Sequence, residues 1–308
     1  LIVLFFPRGP VVGEAVASCF IDADCTAGTV CVSGTCQVPS PISISSQDSI
    51  ITDHLHGVHF VDDRLGWAVG NGGTILRTGD GGITWIPQNS GTTISLVDVH
   101  FVGPSAGWAI GHSGGGSGVI LKSRATVDYS WIPQLTNHPQ NFFGLHFFDI
   151  NTGWVVGSQG TILKTDDGGA NWVPQTINTV ASLTDVHFVN DRLGWVLGYN
   201  LVDDRLLILK TDDGGANWVP QLSGTGYSLN DIHFPDSANG WAVGLNGIIL
   251  KTDDGGESWV PQTSNTGATL GDVHFVDDRL GWVVGSQGTI LKTDDGGANW
   301  VPQLSGTG

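Results

Sequence analysis

The feature that most constrains this chain is the placement of its tryptophans. All twelve fall into two interleaved series. A Gly-Trp pair recurs at Trp67, Trp108, Trp154, Trp195, Trp241 and Trp282, in steps of 41, 46, 41, 46 and 41 residues. A second series follows at Trp85, Trp131, Trp172, Trp218, Trp259 and Trp300. A period of this length requires one supersecondary unit used repeatedly, each copy burying its apolar face against the next. Each copy carries four short segments rich in β-branched and aromatic residues, closed off by Gly or Asp. The pattern is shown by Asp185–Val189, Gly194–Gly198, Thr161–Thr165 and Trp172–Gln175, taken from the third and fourth copies. Composition agrees: 46 glycines, no methionine and only 13% charged residues leave little from which to build helices. The expected fold is all-β, a β-propeller of six four-stranded blades, with a seventh possible if the chain is incomplete.

The fourth segment of every copy carries a proline, at Pro87, Pro133, Pro174, Pro220, Pro261 and Pro302. Proline cannot donate to a strand ladder, so this segment is expected at the outer edge and the first segment at the hub. The turn between the third and fourth segments reads Thr-x-Asp-x-Gly-x-x-Trp. Its aspartates are Asp80, Asp167, Asp213, Asp254 and Asp295. The aspartate is expected to accept turn amides, the glycine to take a left-handed angle and the tryptophan to pin the turn to the sheet. The second copy, Ser123 to Trp131, lacks the Asp and Gly positions. The turn therefore reads as structural, with no catalytic role.

Residues 1–54 do not repeat. Cys19, Cys25, Cys31 and Cys36 are clustered with no His nearby, which favours two disulfides in an oxidising compartment over a zinc site; three pairings are open. The opening residues Leu1, Ile2, Val3, Leu4, Phe5 and Phe6 read either as the remains of a secretion signal ending near Ala15-Val16-Ala17, or as a strand that pairs with a sheet, including a neighbouring subunit's. Either reading implies export. The expected organisation is an apolar tail over 1–18, a disulfide knot over 19–37, a linker over 38–54 and the propeller over 55–308.

The repeated L-x-D-V-x-F, G-W-x-V-G-x-x-G-x-I-L-K-T and D-G-G-x-x-W motifs resemble those of the BNR/Asp-box β-propellers, most of all the photosystem II assembly and stability factor-like group. The resemblance covers roughly residues 55–303. Members of that group are usually seven-bladed, and the photosynthetic ones look like chaperones that bind a membrane-protein precursor through an arginine-rich patch. This chain has seven arginines, three of them, Arg64, Arg192 and Arg279, in one repeated V-[DN]-D-R-L-G-W turn.

The copies differ mainly in one hairpin. The two tryptophans of a copy are 18 residues apart, but 23 apart in the second and fourth copies. The extra residues fall chiefly between the second and third segments, around His112–Gly118 and Tyr199–Leu206. Variable loops on a rigid scaffold are where binding resides, so this rim is the expected site, with Tyr199, Asp203, Asp204, Arg205 and Tyr227 as its candidates. Histidine also follows the repeat, at His59, His100, His146, His187, His233 and His274. Near a hub these could ring a channel; packing against the neighbouring blade with bonded ring nitrogens is the preferred expectation.

Sialidases share the Asp-box turn but need an arginine cluster and a Tyr/Glu nucleophile pair. Here the glutamates are Glu14 in the tail and Glu257 inside a turn, so no enzyme, cofactor or metal is expected. The net charge of −17 disfavours nucleic acid, and no apolar run is long enough to span a membrane. Two readings remain. One is a secreted structural subunit of an extracellular assembly or filament, joined through Leu1–Phe6. The other is an exported platform whose rim holds a protein or glycan partner.

Overall fold

The computed structural model describes residues 30–32, 35–37, 53–116, 118–124, 130–135, 138–177, 179–200, 205–221, 226 and 228–303. Val30–Val32 and Thr35–Gln37 form a small antiparallel hairpin in which Cys31 lies opposite Cys36 along the backbone. This hairpin and the repeats belong to separate compact units. The expected disulfides of Cys19, Cys25, Cys31 and Cys36, and the tail Leu1–Phe6, lie outside the described residues.

The repeats form six antiparallel four-stranded sheets, each in simple sequence order. Blade 1 comprises Leu55–Phe60, Gly66–Gly70, Ile75–Thr78 and Ile86–Gln88. The first strands of the other blades are Ser95–Val102, Phe142–Phe147, Ser182–Phe188, Leu229–His233 and Leu270–Phe275. First strands of successive blades touch one another and so line the hub. The proline-bearing fourth strands are outermost, as the missing N–H requires.

The second strand of each blade, Gly-Trp-x-x-Gly, is buried along its whole length in blades 1 to 5. It lies between two neighbours and has no wet face. Its glycines are there for close approach. A Cβ on Gly66 would stand 2.6 Å from the Phe60 ring, and one on Gly70 would stand 2.2 Å from the His54 carbonyl.

Between blades the core is a repeated aromatic joint. The second-strand tryptophan of one blade stacks on the first-strand phenylalanine of the next. Trp67 on Phe101, Trp108 on Phe147, Trp154 on Phe188, Trp195 on Phe234 and Trp241 on Phe275 all meet at 3.4–3.5 Å with ring planes within 10°. The phenylalanine's own blade supplies its other tryptophan edge-on, as Trp218 does to Phe188 at 6.0 Å and 85°. Five apolar clusters correspond to these five interfaces.

Every first strand is bulged one residue before its conserved Asp or Gly, between Leu96 and Asp98 for example. The bulge re-aims the following side chains, and this sets up the hub.

Candidate functional site

Three regions carry polar chemistry: the hub, the hairpin rim and the face made by the Asp-box turns. In the hub, successive histidine rings stand 4.5 to 4.9 Å apart from His59 through His100, His146, His187 and His233 to His274. The His187 Nε2 is 3.0 Å from the Phe234 carbonyl of the next blade, which fixes Nε2–H as donor. Burial holds His59, His187 and His274 down to about 4, with the His274 charge adding to the effect on His59. Burial drives His100, His146 and His233 well below the usual imidazole range. These are neutral packing residues.

Two positions earlier lie Asp98, Asp185, Asp231 and Asp272, with Gly57 and Gly144 in the other two blades. Asp98 Oδ2 accepts the Leu145 N–H at 2.9 Å, Asp185 Oδ2 that of Ile232 at 3.1 Å and Asp231 Oδ2 that of Val273 at 2.6 Å. Each carboxyl thus ties its blade to the next. Burial, followed by the Asp185 charge, raises Asp98 to about 7. Burial also raises Asp185 and Asp272 and lifts Asp231 well above the ordinary range. The Asp231 carboxyl shares hydrogen bonds with its two neighbours, so protons stay in the cluster. Among the described residues no group of three or more His, Cys, Asp or Glu is placed to hold a metal ion.

At the rim, the inserted residues mostly lengthen a ladder. In blade 4 the second and third strands run Gly194–Asn200 and Arg205–Thr211, pairing Tyr199 with Leu206 and Asn200 with Arg205. In blade 2 the hairpin is His112 to Gly118. Asp203, Asp204, Tyr227 and the Arg205 side chain lie outside the described residues. Tyr199 is half-buried.

The opposite face is built from two loop types that bond to each other. In five blades the glycine that directly follows the Asp-box aspartate donates its N–H to a carbonyl of the loop joining the first and second strands: Gly81 to Arg64, Gly168 to Asn151, Gly214 to Arg192, Gly255 to Ala238 and Gly296 to Arg279. Within the turn, Thr165 Oγ1 donates to Asp167 Oδ1 at 2.9 Å and accepts the Gly169 N–H at 2.8 Å. Asn171 donates its N–H to Asp167 Oδ1 and its amide nitrogen to Oδ2, at 2.8 and 2.7 Å. Hydrogen bonds from the residue four further on hold Asp80, Asp213, Asp254 and Asp295 down to about 2. The five Asp-box aspartates are therefore turn-builders and permanently ionised.

Both loop types carry acidic residues in pairs with divided roles. In Asp62-Asp63 and Asp277-Asp278 the first carboxylate accepts two loop amides, while the second projects from the loop. In the turns, Asp166, Asp212, Asp253 and Asp294 precede the turn-building residue and are exposed. Seventeen of the chain's 29 acidic residues lie in these loops of blades 1 and 3 to 6. Arg192 and Arg279, the arginines of the same loops in blades 4 and 6, are exposed and reach the neighbouring turn of their own blade. Arg192 Nε donates to the Asp212 carbonyl at 3.1 Å, and Arg279 donates to the Asp294 carbonyl at 3.3 Å. They are turn ties and form no cationic patch.

Blade 2 breaks the acidic ring. Its loop is Gly103-Pro104-Ser105, and its Asp-box is gone. Ile83 of blade 1 and Phe148 and Ile150 of blade 3, all exposed, stand on either side of that break. This acidic face with its apolar interruption is the candidate site. The sequence signal for it was the doubled aspartate in V-D-D-R-L and T-D-D-G-G.

The family described as Photosynthesis system II assembly factor YCF48 matches residues 122–220, 168–261 and 261–305, together more than half of the chain. No curated protein sequence matches. Among solved structures, YCF48 bound to a D1 peptide is 21% identical with a TM-score of 0.66, over 82% of this chain and 81% of that one. YCF48 from Cyanidioschyzon merolae is 24% identical with a TM-score of 0.65, over 82% and 85%. The GH74 enzyme of Niastella koreensis is 14% identical with a TM-score of 0.68, over 82% of this chain but 45% of that one. Those likenesses are of fold, and the match over residues 122–305 goes further: the chain belongs to the YCF48-type photosystem II assembly factor family of propellers.

Proposed function

We propose that this propeller is a non-enzymatic platform that holds a cationic polypeptide segment against its acidic face. The observation that carries this reading is the division of labour within the aspartate pairs. One carboxylate of a pair builds the loop and its exposed neighbour is left to face a partner, except Asp166, which pairs with Lys164 at 2.9 Å. Repeated around five blades, such an array attracts and orients a basic chain. The apolar break beside blade 2 suits a segment that interleaves apolar side chains with Lys or Arg. A YCF48 solved with a D1 peptide supports a polypeptide as the class of partner. The charge here is opposite to the arginine-rich patch that the family resemblance implies, and so the partner's charge is opposite too.

Sugar hydrolysis needs a protonated acid and an ionised base across one open cleft. Here the carboxyls kept protonated are enclosed in the hub, while the Asp-box ones on the open face are held ionised. The filament reading depends on Leu1–Phe6, outside the described residues, and the family match supports a platform instead. Export remains part of the proposal. It requires Cys19, Cys25, Cys31 and Cys36 to titrate as disulfides, with no free thiol, in protein isolated from its native source.

The test is calorimetric binding of a lysine-rich peptide with interspersed leucines. Asp63→Asn, Asp191→Asn and Asp278→Asn combined remove exposed charges and leave the loop hydrogen bonds of Asp62, Asn190 and Asp277 in place. About 0.5 kcal/mol per charge gives roughly tenfold weaker binding. Unchanged affinity, or equal binding of an acidic peptide, overturns the reading.

A further inference from the structure

On the acidic face, blades 1 and 3 depart from the repeat, and every departure runs the same way. In blade 3 the loop between the first and second strands reads Phe148-Asp149-Ile150, where blade 1 reads Val61-Asp62-Asp63 and blade 6 reads Val276-Asp277-Asp278. Asp149 still builds the loop: its Oδ1 accepts the Asn151 and Thr152 N–H groups at 2.8 and 2.7 Å, as Asp62 does for Arg64 and Leu65. The bonded position is kept, and the exposed aspartate beside it is exchanged for Ile150, 53% exposed. Phe148, 43% exposed, replaces a valine. In the blade 1 turn, Ile83 is 63% exposed and stands where blades 3, 4 and 6 have alanine. Gly79 stands where the other Asp-box turns have an exposed aspartate, and the one in blade 3, Asp166, is paired with Lys164 at 2.9 Å.

These departures flank blade 2, whose own loop, Gly103-Pro104-Ser105, is exposed and uncharged. Four large apolar side chains are exposed on this face among the described residues, and Val276 is the only one that the repeat itself supplies. Single exposed apolar residues are ordinary on a surface. Departures that all add apolar area or remove charge, gathered on the two sides of one blade, mark an interaction site. The charge around them says what covers it. Along the ring the exposed aspartates resume with Asp63 and Asp278 in blades 1 and 6, and with Asp191 and Asp212 in blade 4. A chain lying on this arc meets carboxylates, then apolar side chains, then carboxylates again.

We propose that a short apolar stretch in the middle of the cationic segment docks across blade 2 on Ile83, Phe148 and Ile150, with the basic residues on both sides of it held by the flanking aspartates. This rests on the acidic face being the docking surface and adds the pattern of the partner: apolar residues grouped between two basic runs. The test is calorimetry at several temperatures with two lysine peptides of one composition, their leucines grouped in the middle or divided between the two ends. The grouped peptide should bind about tenfold more tightly and with the more negative heat-capacity change. Ile83→Ser, Phe148→Ser and Ile150→Ser combined should abolish that preference, while Ile83→Val, Phe148→Leu and Ile150→Val combined keep it; an unchanged urea midpoint reports that both variants are folded. The Asp63→Asn, Asp191→Asn, Asp278→Asn protein should bind both peptides more weakly and retain the preference. Equal affinity for the two peptides, or a preference that survives the serine substitutions, overturns the apolar anchor alone. Affinity that does not depend on the aspartates overturns the acidic-face reading and the anchor with it.

Discussion

Phe188→Ala and Phe60→Ala remove the same side chain from equivalent strands, one stacked on a neighbouring blade's tryptophan and one in blade 1 that is half-buried. Phe188 is 2% exposed, stacks on Trp154 at 3.5 Å and takes the edge of Trp218. Deleting a fully buried phenylalanine costs about 3–5 kcal/mol, and loss of the stacked pair adds about 1 kcal/mol. Phe60 is half-buried and keeps only the edge of Trp85, at 6.0 Å. Its loss should cost about 1–2 kcal/mol, in proportion to the area it removes from water. Urea unfolding followed by tryptophan fluorescence measures both, with the midpoint difference read at equal slope. Phe188→Ala should lie at least 2 kcal/mol below Phe60→Ala, to order of magnitude. Equal costs would refute the claim that the Trp–Phe stack carries the five described blade joints.

Thr165→Val keeps the shape but strips the buried Gly169 N–H of its acceptor, and should cost about 1–3 kcal/mol in the same assay. The hub gives stability a pH dependence of definite sign. Its six imidazoles have folded values below 6.5, so the unfolded chain takes up their protons first and stability is lost as pH falls from 6.5 towards 4. Its four carboxyls are raised, Asp98 to about 7, so they lose stability as pH rises from about 4 to 7. Imidazoles outnumber carboxyls, and well below 6.5, where the unfolded imidazoles are fully protonated, the net effect is unfolding free energy that rises between pH 4.5 and 5.5. A fall between pH 4.5 and 5.5 in urea titrations contradicts the hub description.

Much of the fold was legible because every blade repeats the same solution. The tryptophan period, the outer-strand prolines and the glycines that admit a neighbouring ring all report contacts made identically at five joints. The histidine slot was likewise readable as packing, since one residue in every copy must meet the same neighbour, but the expected bonding of every ring nitrogen was not met, as His100 Nδ1 is buried without a partner. The hub carboxyls were less so: the bulge that turns Asp98 and Asp185 onto the next strand arises from register between strands and has no residue signature. The rim drew attention through its length variation, yet in blade 4 the extra residues extend a ladder around Tyr199. The acidic face was written in the doubled aspartates, where the turn-building role of Asp167 and its equivalents hid the outward role of the residue beside it. The greater exposure of Phe60 and Trp282 was invisible because both sit in ordinary copies of the motif.

The most direct test of the acidic face is a hydrogen-exchange footprint of the bound lysine- and leucine-bearing peptide. The account predicts slowed exchange in residues 61–65, 148–152, 189–193 and 276–280 and in the Asp-box turns between them. Protection confined to the opposite rim, at residues 112–118 and 199–205, would contradict it.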